Sequence, residues 1–281
     1  MARRILSTVA LWAVVLAVLW YGRTAGTVAL ITIFSTLALR EFYAIQAAAG
    51  RAPFAWLGIF FGALITAAPW IQETFGRPAH PLLPLAFIIF AVRILGEREP
   101  ARRVDALSST LFGLVYVALL MQYLVRIVTP AGPGDPFTAG GRLLLCVWLV
   151  AFAKFCDTGA LLAGLAAGRT PLAPAISPKK TWEGAAGGVA ASMLVGALGA
   201  WLAGRFAGGS WPVGLTPGRA AAVAFPVGVL AIVSDLVESA IKRQAEIKDS
   251  GRSVPGIGGV LDVVDSLLLT APLGYFLLGL A

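Results

Sequence analysis

The chain of 281 residues is 58% hydrophobic and only 13% charged, where a soluble globular domain carries about 45–50% apolar and about 25% charged residues, so it reads as a polytopic membrane protein. Its net charge of +8 does not point to nucleic acid, because the cations fall in short segments between apolar runs, which is the distribution the positive-inside rule produces. One histidine, His80, and two cysteines inside apolar runs, Cys146 and Cys156, argue against a Ser-His-Asp triad, a zinc knuckle and a disulfide framework.

A membrane span needs about 20 apolar residues. On that basis the chain predicts nine helices, over 5–21, 25–40, 54–71, 81–95, 107–127, 143–166, 185–204, 219–240 and 260–280. Arg3 and Arg4 followed by an apolar run from Ile5 resemble a secretory signal. No small-residue cleavage site follows cleanly, so an uncleaved first span is expected, joined to the second by a tight turn at Gly22–Ala25. The expected fold class is an all-α polytopic membrane protein without a soluble domain. Within one integral membrane unit, 1–140 form N-terminal helices and 141–281 form catalytic helices.

Lys and Arg set the orientation. With the N-terminus inside, the inner segments hold 15 of them and the outer loops 6, with Lys154 inside a span. This bias predicts a cytoplasmic N-terminus, an outward C-terminus, and two charged loops, 167–184 and 241–259, on the cytoplasmic side. The Pro/Gly-rich loop 129–141 and the Trp-containing loop 205–218 then face outward as plain connectors.

The first constellation with chemistry begins at Lys154 and Asp157, spaced i, i+3 inside a span, where mutual neutralisation and a functional role are equally good accounts. It continues to Ser177-Pro178-Lys179-Lys180-Thr181, just before a helix beginning near Glu183. Two hydroxyls and two ammonium groups there can grip an anionic head group or a triphosphate. Trp182 reads as an interfacial anchor, and Gly184, Gly187, Gly188 and Ser192 as a close-packing helix face.

The second constellation runs from Ser234 to Asp265. Asp235 and Glu238 are i, i+3 near the end of one span, and Asp262 and Asp265 are i, i+3 at the start of the last. That spacing places each pair on one helical face. A charged carboxylate at a helix centre in the bilayer costs roughly 2.5–3.5 kcal/mol, so these acids must face protein, water or a cation. A hard, oxygen-ligated ion such as Mg²⁺ suits a set of carboxylates without His or Cys. Taken singly, each acid has a plainer account as a helix-dipole charge or a partner of Lys242 and Arg243; that account weakens when all flank one loop with four cations. The loop carries Lys242, Arg243, Lys248, Asp249 and Arg252, and glycines 251, 256, 258 and 259, which let a backbone approach phosphate closely. It does not match the P-loop pattern.

With both blocks laid out, the sequence resembles the phosphatidate cytidylyltransferase (CDP-diacylglycerol synthase) family. The likeness rests on Asp157-Thr158-Gly159-Ala160, on Leu172-Ala173-Pro174 through Ser177-Pro178-Lys179-Lys180-Thr181-Trp182-Glu183-Gly184, and on Asp235-Leu236-Val237-Glu238-Ser239. It also rests on Lys242-Arg243, Lys248-Asp249, Pro255-Gly256-Ile257-Gly258-Gly259 and Asp262-Val263-Val264-Asp265. It covers about 154–188 and 234–266, with a looser likeness near Glu41-Phe42 and Gly113–Tyr116. Ile257 and Val263 stand where the family has His and Arg, and Leu161 and Leu165 where it has Tyr and a basic residue.

The resemblance implies a Mg²⁺-dependent enzyme of phospholipid biosynthesis. It would transfer cytidylyl from CTP to phosphatidate, giving CDP-diacylglycerol and pyrophosphate. It implies Asp235, Asp262 and Asp265 as metal ligands. Lys179, Lys180, Lys242, Arg243 and Lys248 would neutralise phosphate charge, with Asp249 orienting Lys248. Ser177, Thr181, Ser239, Arg252, Gly258 and Gly259 would contact substrate. The expected setting is the inner (plasma) membrane with the site facing the cytoplasm, the bilayer as partner, and a homodimer kept open. The alternatives are a paralogue acting on another lipid phosphate, and a membrane transporter.

Overall fold

The structure, a computed structural model, describes residues 2–78, 81–97, 99–130, 135, 137–207, 211–212, 214–254 and 258–280, with side chains from 12 onward except 101. His80 and the Pro255-Gly256-Ile257 portion of the glycine loop lie outside the described residues. In chain order the helices are α1 Ala2–Ala48, α2 Ala55–Phe75, α3 Leu82–Arg93, α4 Pro100–Gly113, α5 Leu120–Val128, α6 Ala139–Ala167, α7 Trp182–Phe206, α8 Pro217–Gln244 and α9 Val260–Leu277, with strands β1 Pro171–Ala173 and β2 Ser177–Thr181 between α6 and α7. The chain divides into two compact units, Met1–Thr129 with Ile241–Val264, and Pro130–Ala240 with Asp265–Ala281.

Among the described residues, seven helical stretches are long and apolar enough to cross a membrane: Trp12–Ala48, Ala55–Phe75, Arg102–Val128, Ala139–Ala167, Trp182–Phe206, Pro217–Gln244 and Val260–Leu277. Two expected elements account for the difference from nine. The stretches 5–21 and 25–40 run within α1, which breaks at Arg23 (φ 48, ψ −145) where a turn was expected. A straight 47-residue helix would be about 70 Å long, more than twice the hydrocarbon thickness of about 30 Å. The expected span 81–95 yields the 12-residue α3 and a 3₁₀ turn, Ile94–Gly96, and a 12-residue helix reaches only about 18 Å.

In the first unit α1 buries Val28, Ile31, Ser35, Ala38, Leu39, Phe42 and Ile45, the three-and-four spacing of a helix with one packed face. Phe42 meets the rings of Phe112 and Tyr116, and the Tyr43 hydroxyl donates to the Thr110 carbonyl at 2.9 Å. A π-helical segment, Leu114–Leu119, joins α4 to α5 and buries Leu114, Tyr116, Val117 and Ala118. Ser35 and Thr66 pair their hydroxyls at 2.7 Å inside this packing. Side-chain hydrogen bonds between membrane helices average roughly 0.6 kcal/mol, so Ser35→Ala is expected to cost about 1 kcal/mol or less, read as a thermal shift in detergent of only a few degrees.

In the second unit α6 and α7 are drawn together by small residues. Gly159 lies against Ala191 and the Gly187 backbone, and Gly188 against Cys156 and Ala160. Trp148 donates to the Gly196 carbonyl at 2.8 Å and meets Phe152 and Trp211. Ser192 donates to the Ala224 carbonyl at 3.2 Å, bringing α8 against α7.

Two loop expectations change. The segment 167–184 forms an antiparallel ribbon, Pro171 opposite Thr181 and Ala173 opposite Ser177, which the all-α reading did not include. The described residues of 129–141 do more than connect: Asp135 and Arg142 make a buried ion pair at 2.5 Å, the Phe137 amide donates to Asp135 at 2.9 Å, and the Arg142 guanidinium lies 5.5 Å from the centre of the Phe137 ring.

Candidate active site

The densest charge of the second unit lies where α6, α8, α9 and the ribbon meet. Asp235 and Glu238 share a face of α8, and with Asp265 of α9 they present carboxylate oxygens all within 4.8 Å of one another. Backbone anchoring explains the approach: Ser234 of α8 donates its hydroxyl to the Asp265 carbonyl, and the Leu269 amide reaches the same hydroxyl at 3.4 Å. Lys154 of α6 lies 3.3 Å from Asp265 and 3.6 Å from Asp157. Lys180 of β2 lies 2.5 Å from Asp235, and the Ser239 hydroxyl 3.5 Å from it. Glu238 is buried, 1% exposed.

Asp157, Asp235, Glu238 and Asp265 thus stand together with the ammonium groups of Lys154 and Lys180. The donor chemistry is all hard oxygen, as Mg²⁺ requires. Oxygens on opposite sides of a Mg²⁺ ion are about 4.2 Å apart, so the 4.8 Å spread needs only a small side-chain rotation. The residues present fit one divalent cation, and Asp235, Glu238 and Asp265 would hold it.

The ribbon sorts its two lysines by strand alternation, since successive side chains point to opposite faces. Lys180 turns inward to Asp235, while Lys179 is exposed. Ser177, half-buried, begins β2 opposite Ala173. Thr181 caps α7, its hydroxyl accepting from the Gly184 amide at 3.1 Å. Glu183 ties the ribbon's base down, accepting from the Arg169 amide at 3.1 Å and from the Thr170 amide and hydroxyl at 3.2 and 2.9 Å.

The first unit holds the other charged segment. Lys242 pairs with Asp262 at 2.7 Å. Asp262 also accepts from the Ser250 amide at 3.1 Å, the Ser250 hydroxyl at 2.9 Å and the Gly259 amide at 2.7 Å. Gly258 adopts φ 136, a left-handed region open to glycine; its amide donates to the Val254 carbonyl at 3.1 Å. A Cβ on Gly259 would overlap Ser250 and Glu41. Both glycine amides are therefore engaged inside the loop. Arg243, Lys248, Asp249 and Arg252 are exposed, and Arg243 donates to the Ile247 carbonyl at 3.4 Å.

Of the acids read as metal ligands, the structure brings Asp235 and Asp265 together and adds Glu238. Asp262 serves Lys242 and the loop, and falls in the other unit. Glu238, Lys154 and Asp157 were visible in the sequence as charges inside spans, but spacing alone could not rank them. Glu41 stood out in the sequence only through the looser family likeness at Glu41-Phe42, with nothing to show its partners, Ser250, Ser253 and Leu261, more than 200 residues away. Leu161 and Leu165 are exposed on α6.

The chain matches the model of the cytidylyltransferase family over residues 2–281. It is similar to the phosphatidate cytidylyltransferase of Synechocystis, 34% identical over 92% of this chain and 88% of that one. It is also similar to phosphatidate cytidylyltransferase 5, chloroplastic, of Arabidopsis thaliana, 35% identical over 85% of this chain and 62% of the relative. The phosphatidate cytidylyltransferase of Mycobacterium tuberculosis is 32% identical over 66% and 51%. The match runs through the apolar helices as well as both charged blocks, and this chain belongs to the cytidylyltransferase family and is, with it, a nucleotidyltransferase.

Proposed function

We propose that this enzyme transfers the cytidylyl group of CTP to phosphatidate at the cytoplasmic face of the membrane. The observation that carries the reading is the cluster of Asp157, Asp235, Glu238 and Asp265 with Lys154 and Lys180, three of its carboxylates meeting within 4.8 Å. Relatives named phosphatidate cytidylyltransferase support the acceptor. The Lys/Arg bias supports the face, and nine spans or seven both leave the N-terminus inside and the C-terminus outside.

In this reaction an oxygen of the lipid phosphate attacks the α-phosphorus of CTP. The bond from that phosphorus to the β-bridging oxygen breaks, and its electron pair leaves on pyrophosphate. A phosphate monoester is largely ionised near neutral pH, with a second pKa of about 6, so no strong base is required. The protein's task is positioning and charge neutralisation. Lys180 and Lys154 hold phosphate oxygens beside the acids, and Lys179 adds charge from the exposed face of the ribbon. Lys242, Arg243, Lys248 and Arg252 neutralise phosphate charge from their loop, with Asp262 anchoring Lys242. Asp235, Glu238 and Asp265 would hold a Mg²⁺ ion, which would supply Lewis-acid neutralisation of phosphate charge.

Purified protein in detergent, given labelled CTP, phosphatidate and Mg²⁺, is expected to form a lipid-soluble cytidine nucleotide and pyrophosphate in equal amounts. Chelation of the divalent ion should abolish both products, and added Mg²⁺ should restore them. Folded protein that forms no lipid-soluble nucleotide with any of several lipid phosphates overturns the proposal.

A further inference from the structure

Glu41 is a carboxylate on the packed face of α1, 7% exposed, between Leu39 and the rings of Phe42 and Tyr43 in sequence. Such a group is costly in a membrane span unless its oxygens are satisfied. Its hydrogen-bond donors among the described residues come from one stretch of chain. The Ser250 hydroxyl donates at 3.1 Å and the Leu261 amide at 2.8 Å to one oxygen, and the Ser253 hydroxyl at 2.5 Å to the other. The segment wraps the carboxylate closely: a Cβ on Gly251 would stand 2.7 Å from Glu41 Oε1, and one on Gly259 would overlap the same group. Asp262 holds the segment from the other side through the Ser250 and Gly259 amides. Ser250 has one hydroxyl proton between the two acids, so the two carboxylates act through a shared clasp. The segment so held carries Lys248 and Arg252, both exposed.

We propose that Glu41 is a positioning residue: its carboxylate sets the conformation of residues 248–254 and 258–261, and so the placement of Lys248 and Arg252 on the nucleotide's phosphates. This rests on the cytidylyl-transfer reading for its second half only. Glu41 itself touches no substrate. Its role is geometric rather than electrostatic, because its three contacts are hydrogen bonds from neutral donors. A glutamine in its place keeps an acceptor for Ser250 and Leu261, and turns an amide N–H toward the Ser253 oxygen.

The test uses the full chain in detergent, with two readouts. Trypsin cleaves after Lys248 and Arg252 when that segment opens, whatever the protein catalyses. Glu41→Ala is expected to speed cleavage at these two bonds about tenfold, and to raise KM for CTP about tenfold with kcat and the KM for phosphatidate within about threefold. Glu41→Gln is expected to stay close to the parent in both readouts. If Glu41→Ala does not fold, Ser253→Ala, which removes one of the three donors, should shift both readouts in the same direction by a smaller factor. Unchanged cleavage in a folded Glu41→Ala, or in Ser253→Ala where it stands in, overturns the clasp. Faster cleavage with an unchanged KM for CTP overturns the positioning role. A uniform fall in kcat with both KM values unchanged also overturns it, and marks the residue as structural. A parent protein without cytidylyl transfer defeats the functional reading, while the cleavage rates still decide the clasp.

Discussion

Asp265→Asn is expected to lower kcat by at least about 10³-fold, roughly 4 kcal/mol of transition-state stabilisation. The substitution removes one of the three carboxylates that fit a divalent cation, and with it one negative charge. It leaves the fold's own anchor untouched, because Ser234 grips the backbone carbonyl of residue 265 and not its side chain. The Mg²⁺ concentration for half-maximal rate should rise with the loss of kcat, and the melting temperature should stay within a few degrees of the parent. Asp157→Asn is the informative comparison. Its side chain is 40% exposed and 3.6 Å from Lys154, so screening by solvent weakens it and a fall of less than about 30-fold is expected. A loss below tenfold in Asp265→Asn would take this residue out of the site.

Arg142→Ala is expected to cost about 3–5 kcal/mol of stability, the range for breaking a buried pair by removing one partner. The side chains of Arg142 and Asp135 are 3% and 7% exposed. Truncating the arginine takes the cation away from the buried Asp135 carboxylate, which keeps the Phe137 amide as a donor, and strips the guanidinium from the Phe137 ring. A drop in melting temperature of roughly 10 °C follows for a chain of this size, measured by thermal unfolding in detergent. The paired change Asp135→Asn with Arg142→Met should recover more than half of that loss, since no charge is then left unpaired. A double variant no better than the single one would show that packing, and not charge, holds this corner.

How far these features could be read from residues alone differs from case to case. Membrane class and helix positions were legible because a bilayer forces apolar runs of a given length on the chain. The count was less so. Arg23 takes non-helical angles, so the two helices expected over 5–21 and 25–40 meet at a kink within one long apolar stretch, and apolar content does not tell the 12-residue α3 from a span. The Asp135–Arg142 pair looked like connector charge, because a buried partner seven residues away has the same composition as an exposed one. The ribbon at Pro171–Thr181 was hidden by its prolines, which read as irregular loop, while pairing across the short turn still forms at Ala173 and Ser177.

The charged blocks and their chemistry were determined by the sequence itself: carboxylates and lysines inside apolar spans are costly and must serve one another or a ligand, and the motif spacing of Ser177–Glu183 and Asp235–Asp265 carries the family. Which acid does what was decided only by the tertiary structure. Asp262 and Asp265 share a helix face by spacing, yet Asp262 is taken by Lys242, Ser250 and Gly259, while Asp265 joins Asp235, Glu238 and Lys154. One turn of helix separates them by about 4.5 Å of rise and about 60° of rotation, enough to give neighbouring carboxylates different surroundings. Glu41 is the extreme case, since a contact across 209 residues leaves no periodicity for a reader of the chain to find.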